Sequence, residues 1–174
     1  MNTSVRIREE GQNDSQAICD VHNQAFDGDL EARLVDMLRD ADRVILSLVA
    51  VVEDRVVGHV MFSPVTVEPH SGASRWAALA PIGVVPDYQG QGIGSQLVRE
   101  GLAGCRSKSC DVVVLLGAPE YYSRFGFFRA SSSGLTSEFG AGPEFQAVEL
   151  TRGSLRKGSG PRLVRFTPEF KEVG

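Results

Sequence analysis

Gln89-Gly90-Gln91-Gly92-Ile93-Gly94 joins an apolar run to an amphipathic stretch. The run before it, Leu79-Ala80-Pro81-Ile82-Gly83-Val84-Val85-Pro86, reads as a buried strand stopped by proline. After it, Ile93, Leu97, Val98 and Leu102 recur at helical spacing, while Gln96, Arg99 and Glu100 fall on other faces. The glycines therefore lie where a strand turns into a helix N-terminus. The first amides of a helix have no partner within it, and the helix dipole adds partial positive charge at that end. Glycine lets the backbone approach a bound group without a side chain in the way. Together these make a phosphate-binding device.

Two nucleotide readings of the device fail on particular residues. The P-loop pattern ends in Gly-Lys-Ser/Thr, and here Gly92-Ile93-Gly94-Ser95 carries no lysine. A dinucleotide fingerprint opens the first strand-helix-strand unit and wants a glycine or alanine where Ser95 stands. This loop comes in mid-chain, after hairpin-like strands. Ile45 to Val52 is apolar and β-branched, Glu53-Asp54-Arg55 is a turn, and Val56 to Val67 returns as a second strand. Glu68-Pro69-His70-Ser71-Gly72 turns the chain into a third strand over Arg75 to Val85. The loop thus closes an antiparallel meander.

Elsewhere, Val5 to Arg8 reads as a first strand. Asp14 or Ser15 is placed to cap a helix carrying Ile18, Val21, His22 and Ala25, and a second helix fits Leu30 to Leu38. After a helix over residues 93–105, Asp111 to Gly117 is an apolar strand, and strand-helix-strand order implies a parallel crossover. Pro119 suits the first turn of a short helix reaching Phe125. Phe145–Leu150 and Arg162–Phe166 are further strands, separated by turns such as Gly158-Ser159-Gly160-Pro161, and the tail is expected to complete the same sheet. With no internal repeat and no boundary, residues 1–174 read as a single domain.

Composition narrows the classes. A 174-residue chain with 42% hydrophobic residues can bury a core of its own. A net charge of -4 without a long basic run argues against nucleic acid as the main partner. No apolar stretch approaches the roughly 20 residues of a membrane span, and the first residues lack a signal peptide's apolar region. Cys19, Cys105 and Cys110 have no metal or disulfide spacing and read as small buried hydrophobes. The expectation is a cytoplasmic protein that uses no metal.

Gln89, Gly92 and Gly94 match the Gln/Arg-x-x-Gly-x-Gly/Ala loop of the GCN5-related N-acetyltransferases, and the preceding Val-x-Pro strand matches too. Tyr122, Gly126 and Phe127 match the Tyr-x-x-x-Gly-Phe motif that these enzymes often carry after their fifth strand. Gly117-Ala118-Pro119-Glu120-Tyr121-Tyr122-Ser123-Arg124-Phe125-Gly126-Phe127, with Val164 to Phe170 in the tail, resembles the YhbS-like subgroup. One departure is Ala118, where the subgroup frequently has aspartate.

The resemblance implies an α/β (α+β) fold: a mixed, mostly antiparallel sheet flanked by helices, with a parallel strand pair splayed at the cofactor site. It implies acetyl-CoA as co-substrate. The pyrophosphate would lie on the loop, at Gln89, Gly90, Gln91, Gly92, Ile93, Gly94 and Ser95, and the pantetheine arm along Ile82, Val84 and Val85. The strands are expected to part after Ile82, with Gly83 and Pro86 marking the irregularity. Tyr122 would protonate the departing thiolate and a backbone amide near Val84 would polarise the carbonyl, with direct attack by a small-molecule or protein amine in a ternary complex. His59, Glu68, His22 and a water chain stay open as the general base, Val57, His59, Met61 and Ser63 being expected to share one strand face. Two alternatives stand beside this reading: a catalytically silent CoA-binding sensor or partner module, and a transferase for another acyl-CoA. Oligomeric state, homodimer included, stays open.

Overall fold

In the computed structural model of the chain, residues 4–69, 72–156 and 160–173 are described. The turns expected at 68–72 and 158–161 fall partly outside them. The meander forms as its alternation predicts. β1 (Val5–Glu9) pairs antiparallel with β2 (Leu46–Val52), β2 with β3 (Arg55–Glu68), and β3 with β4 (Trp76–Val84). β2 is buried at every position because helices cover both of its faces. On one face, α1 (Ser15–Ala25) and α2 (Leu30–Asp40) bring Ile18, Leu34, Val35 and Leu38 onto Val49, Val51 and Met61. On the other, α3 (Ile93–Ser107) brings Ile93, Leu97, Val98 and Cys105 onto Leu46, Leu48, Val60 and Phe62.

Two local expectations change. Asp14 occupies the cap position of α1, but its carboxylate accepts from the Gly11 N–H at 2.7 Å and from Arg8 at 2.6 Å instead of from the helix. The register of β2 on β3 slips between Ala50 and Val51, leaving Val57 unpaired. That bulge packs Val57 into the α3-side core, away from Met61, so alternation does not hold across it.

α3 carries the chain over to β5 (Val112–Leu116), which runs parallel to β4. Only Trp76–Ala78 pair with Val112–Val114. The strands therefore part after Ala78, upstream of the Ile82 position read from sequence. Two features explain the earlier break. The β3–β4 register shifts between Val60 and Phe62, skipping Ala80 and Pro81, and proline has no N–H to offer a neighbouring strand. Past β5 come α4 (Pro119–Tyr122), β6 (Phe128–Arg129), β7 (Leu135–Ser137), β8 (Phe145–Glu149), β9 (Arg162–Arg165) and α5 (Glu169–Val173). β8 extends the sheet beyond β5, and β9 pairs with the far end of β3 and with β7. Among the described residues the nine strands form one mixed sheet with mostly antiparallel pairs.

Candidate active site

The glycine loop meets α3 as the sequence indicates. Gly90 and Gly92 have φ of 74° and 82°, a region that side-chain-bearing residues avoid, and Gly92 is the N-cap of α3. Gln96 N–H makes the first helical bond, to the Gly92 carbonyl at 3.0 Å. The amides of Ile93, Gly94 and Ser95 precede it and have no partner within the helix. Side chains tie the loop down: Gln89 donates to the Val84 carbonyl at 2.8 Å and Gln91 to the Asp87 carbonyl at 3.2 Å. A cavity of about 340 Å³ opens over the loop, lined by Val84, Tyr88, Gln89, Gly90, Gly92, Ile93, Gly94, Ser95, Tyr121 and Arg124.

The wedge between β4 and β5 leads up to this cavity. Val85 N–H bonds to the Val57 carbonyl at 2.9 Å, and the Val85 carbonyl accepts from Tyr88 N–H at 2.9 Å. With its side chain also buried, Val85 turns its N–H to β3 and its carbonyl to Tyr88, unlike Ile82 and Val84 beside it. The same bond fixes its neighbours. Backbone groups alternate along an antiparallel strand, so Val84 and Ile82, opposite Gly58 and Val60, turn theirs away from β3 and into the wedge. A second, smaller cavity of about 230 Å³ lies here, lined by Ala25, Phe26, Ile82, Gly83, Val84, Gln89, Gly94 and Tyr121.

Tyr122 packs just past the end of β5. A Cβ on Gly117 would stand 2.5 Å from the Tyr122 ring, so the ring needs glycine beneath it. Burial, with Tyr121 adding to it, pushes its hydroxyl up to about 12. Tyr121 stands edge-on to it at 4.9 Å and reaches α3, its hydroxyl 3.5 Å from Ser95 Oγ. Tyr121 lines both cavities. Arg124 stacks on the Tyr121 ring at 4.6 Å and brings a cation to the loop. Sequence reasoning missed Arg124, whose only signal was its place inside the tyrosine motif.

The three base candidates separate cleanly. Glu68 is exposed at the far end of β3, where Arg165 pairs with it at 2.9 Å. His59 is fully buried with both ring nitrogens engaged, Nδ1 to His22 Nε2 and Nε2 to Ser47 Oγ, each at 2.8 Å. His22 is also fully buried, but its Nδ1 has no partner and faces Gly83, where a Cβ would stand 3.0 Å from it.

Splayed parallel strands, a glycine loop at a helix N-terminus and a tyrosine at the end of the next strand define an acyl-transferase class of site. The sequence model of the acetyltransferase (GNAT) domain matches residues 6–130, and the chain belongs to that family. It is 37% identical over 166 residues to the uncharacterized N-acetyltransferase YhbS of Escherichia coli, covering 94% of this chain and 97% of that one. The crystal structure of E. coli YhbS in complex with CoA superposes with a TM-score of 0.92 at 35% identity, covering 100% of this chain and 96% of that one. A GNAT acetyltransferase of Brucella melitensis in complex with acetyl-CoA gives 0.77 at 32%, covering 97% and 99%. Among the described residues no helix is long and apolar enough to cross a membrane.

Proposed function

We propose that this chain acts as one acetyl-CoA-dependent N-acetyltransferase domain, moving an acetyl group to an amine by direct attack in a ternary complex. The observation that carries the reading is the wedge: Ile82 turns its backbone groups and Val84 its N–H into it, the Val84 carbonyl being held by Gln89, and it ends at the glycine loop. An amide-rich pantetheine arm pairs with those groups as a strand would. The amides of Ile93, Gly94 and Ser95 take the pyrophosphate, Gly90 and Gly92 shape the loop, and Arg124 adds positive charge at its mouth. The two relatives solved with CoA and acetyl-CoA support the same ligand.

The chemistry follows from where charge develops. Val84 N–H is the donor placed to polarise the thioester carbonyl. Tyr122, packed over Gly117 just past the end of β5, is the residue assigned to meet the departing sulfur. With its hydroxyl near 12 and a thiol near 8.5, full proton transfer to the thiolate would run uphill by about 5 kcal/mol. Tyr122 therefore acts by donating a hydrogen bond to the developing thiolate, which is already a fair leaving group.

The test is release of free CoA thiol from acetyl-CoA with spermidine, L-lysine, glucosamine and an alanine-initiated peptide as acceptors. Turnover with at least one amine is expected. Saturable acetyl-CoA binding without turnover on any amine would identify a sensor module instead. For the loop, Gly92→Val should abolish most of the thermal stabilisation by CoA. For the parent that stabilisation is roughly 2.7 kcal/mol at about 100 times the dissociation constant.

A further inference from the structure

A buried hydrogen-bonded chain runs from beside the wedge across the strands toward β1, on the face covered by α1 and α2. Its members come from four elements: His22 on α1, His59 on β3, Ser47 on β2 and Glu10 just past β1. His22 Nε2 meets His59 Nδ1 at 2.8 Å, His59 Nε2 meets Ser47 Oγ at 2.8 Å, and Ser47 Oγ meets Glu10 Oε2 at 2.5 Å. Arg39 closes the far end by pairing with Glu10 Oε1 at 2.5 Å.

The direction of every bond follows from that end. A carboxylate only accepts, so the single Ser47 proton goes to Glu10. Ser47 Oγ must then accept from His59, which places the His59 proton on Nε2 and leaves its Nδ1 an acceptor. His22 in turn donates from Nε2. What remains is a bare lone pair on His22 Nδ1, the one buried ring nitrogen of the pair without a partner. It faces Gly83, which lines the wedge cavity beside Phe26 and Ile82. Gly83 stands opposite His59 in the strand pairing, and with no side chain there the His22 ring lies close against the β4 backbone that lines the wedge cavity.

Building on the transferase reading above, we infer that His22 is the general base, and that His59, Ser47 and Glu10 are positioning residues that hold it in the accepting tautomer. As the amine nitrogen bonds to the thioester carbon, His22 Nδ1 takes the N–H proton. The C–S bond then breaks and its electron pair leaves on sulfur. The proton passes from His22 to water after the products leave, and the released thiolate is protonated from solvent. Through His59 and Ser47 the Glu10 carboxylate polarises the imidazole and steadies the charge it gains. Burial supports the role by drawing His22 down to about 4, which keeps it neutral at pH 7. The groups acting on the pair are Arg39 on α2, which opposes protonation of His59, and Asp14 at the start of α1, which favours it while paired with Arg8.

The test has two arms. The chain has three histidines, so ring-¹⁵N labelling yields few signals. In the parent protein at pH 7, His22 and His59 should both show protonated Nε2 and bare Nδ1, and Ser47→Ala should release that tautomer. A protonated His22 Nδ1 in the parent overturns the proposal. In the amine panel, His22→Gln should lower kcat by on the order of 10²-fold or more while acetyl-CoA affinity stays nearly unchanged. Gly83→Ala keeps both histidines but sets a Cβ 3.0 Å from Nδ1, and should lower kcat likewise. A parent that turns over while His22→Gln and Gly83→Ala match it sinks His22 alone. A parent that binds acetyl-CoA but acetylates none of the amines sinks the transferase reading, and the base with it.

Discussion

The two adjacent tyrosines do different work, and single oxygen deletions separate them. Tyr122 sits over Gly117 at the end of β5, while Tyr121 walls both cavities and touches the start of α3. A hydrogen bond to a charged partner contributes about 1.5–3 kcal/mol. Tyr122→Phe should therefore lower kcat roughly 10- to 150-fold with little change in the KM for acetyl-CoA. Tyr121→Phe should leave kcat nearly intact and raise that KM, both read from steady-state thiol release. The tyrosine motif and the loop were legible because each is a local pattern of residue types. Arg124 and the partnership of His22 with His59 were not, since 37 residues separate the histidines and only the folded sheet brings them together. Val85 shows a related limit: sequence shows that a valine follows the strand, but not that its N–H bonds to β3 and its carbonyl to Tyr88.

Elements hold the site through close packing of α3 on the sheet. A Cβ on Gly101 would overlap the buried Phe62 ring, and one on Gly104 would come within 2.5 Å of Leu46. Gly101→Ala should accordingly destabilise the protein by about 1–3 kcal/mol despite alanine's better helix propensity, seen as a lower urea midpoint. This contact sets how closely the second half of α3 lies on β2 and β3. Strand and helix order could be read from periodicity because most segments carry one clean period. Positions beside bulges could not. Val57 and the Ala80-Pro81 pair sit where one strand has residues its partner does not match, and alternation loses its phase there. The parting of β4 from β5 at Ala78 is the functional result of that lost phase.

At the scale of the whole molecule, the buried histidines make stability depend on pH. Burial holds His22 near 4 and His59 well below its usual value of 6.5, so the unfolded chain binds more protons as pH falls below 6.5. Their contribution is complete above about pH 6.5 and is lost progressively toward pH 4, on the order of 3 kcal/mol for His22 alone. Asp14, held low by Arg8 and by the Gly11 N–H, extends the loss into stronger acid. A Tm measured from pH 7 to 4 should fall steeply, and His22→Gln should flatten part of that slope. The wedge has a consequence of its own at this scale. It leaves two unpaired strand borders facing each other in the interior of the sheet, with only Pro81 on the β4 side to break the row of open backbone groups. Without acetyl-CoA, the amide hydrogens of Ile82 and Val84 should exchange with deuterium quickly, and unloaded protein should scatter light sooner on warming than loaded protein. Supply of the acyl donor would then govern the shelf life of the chain as well as its rate.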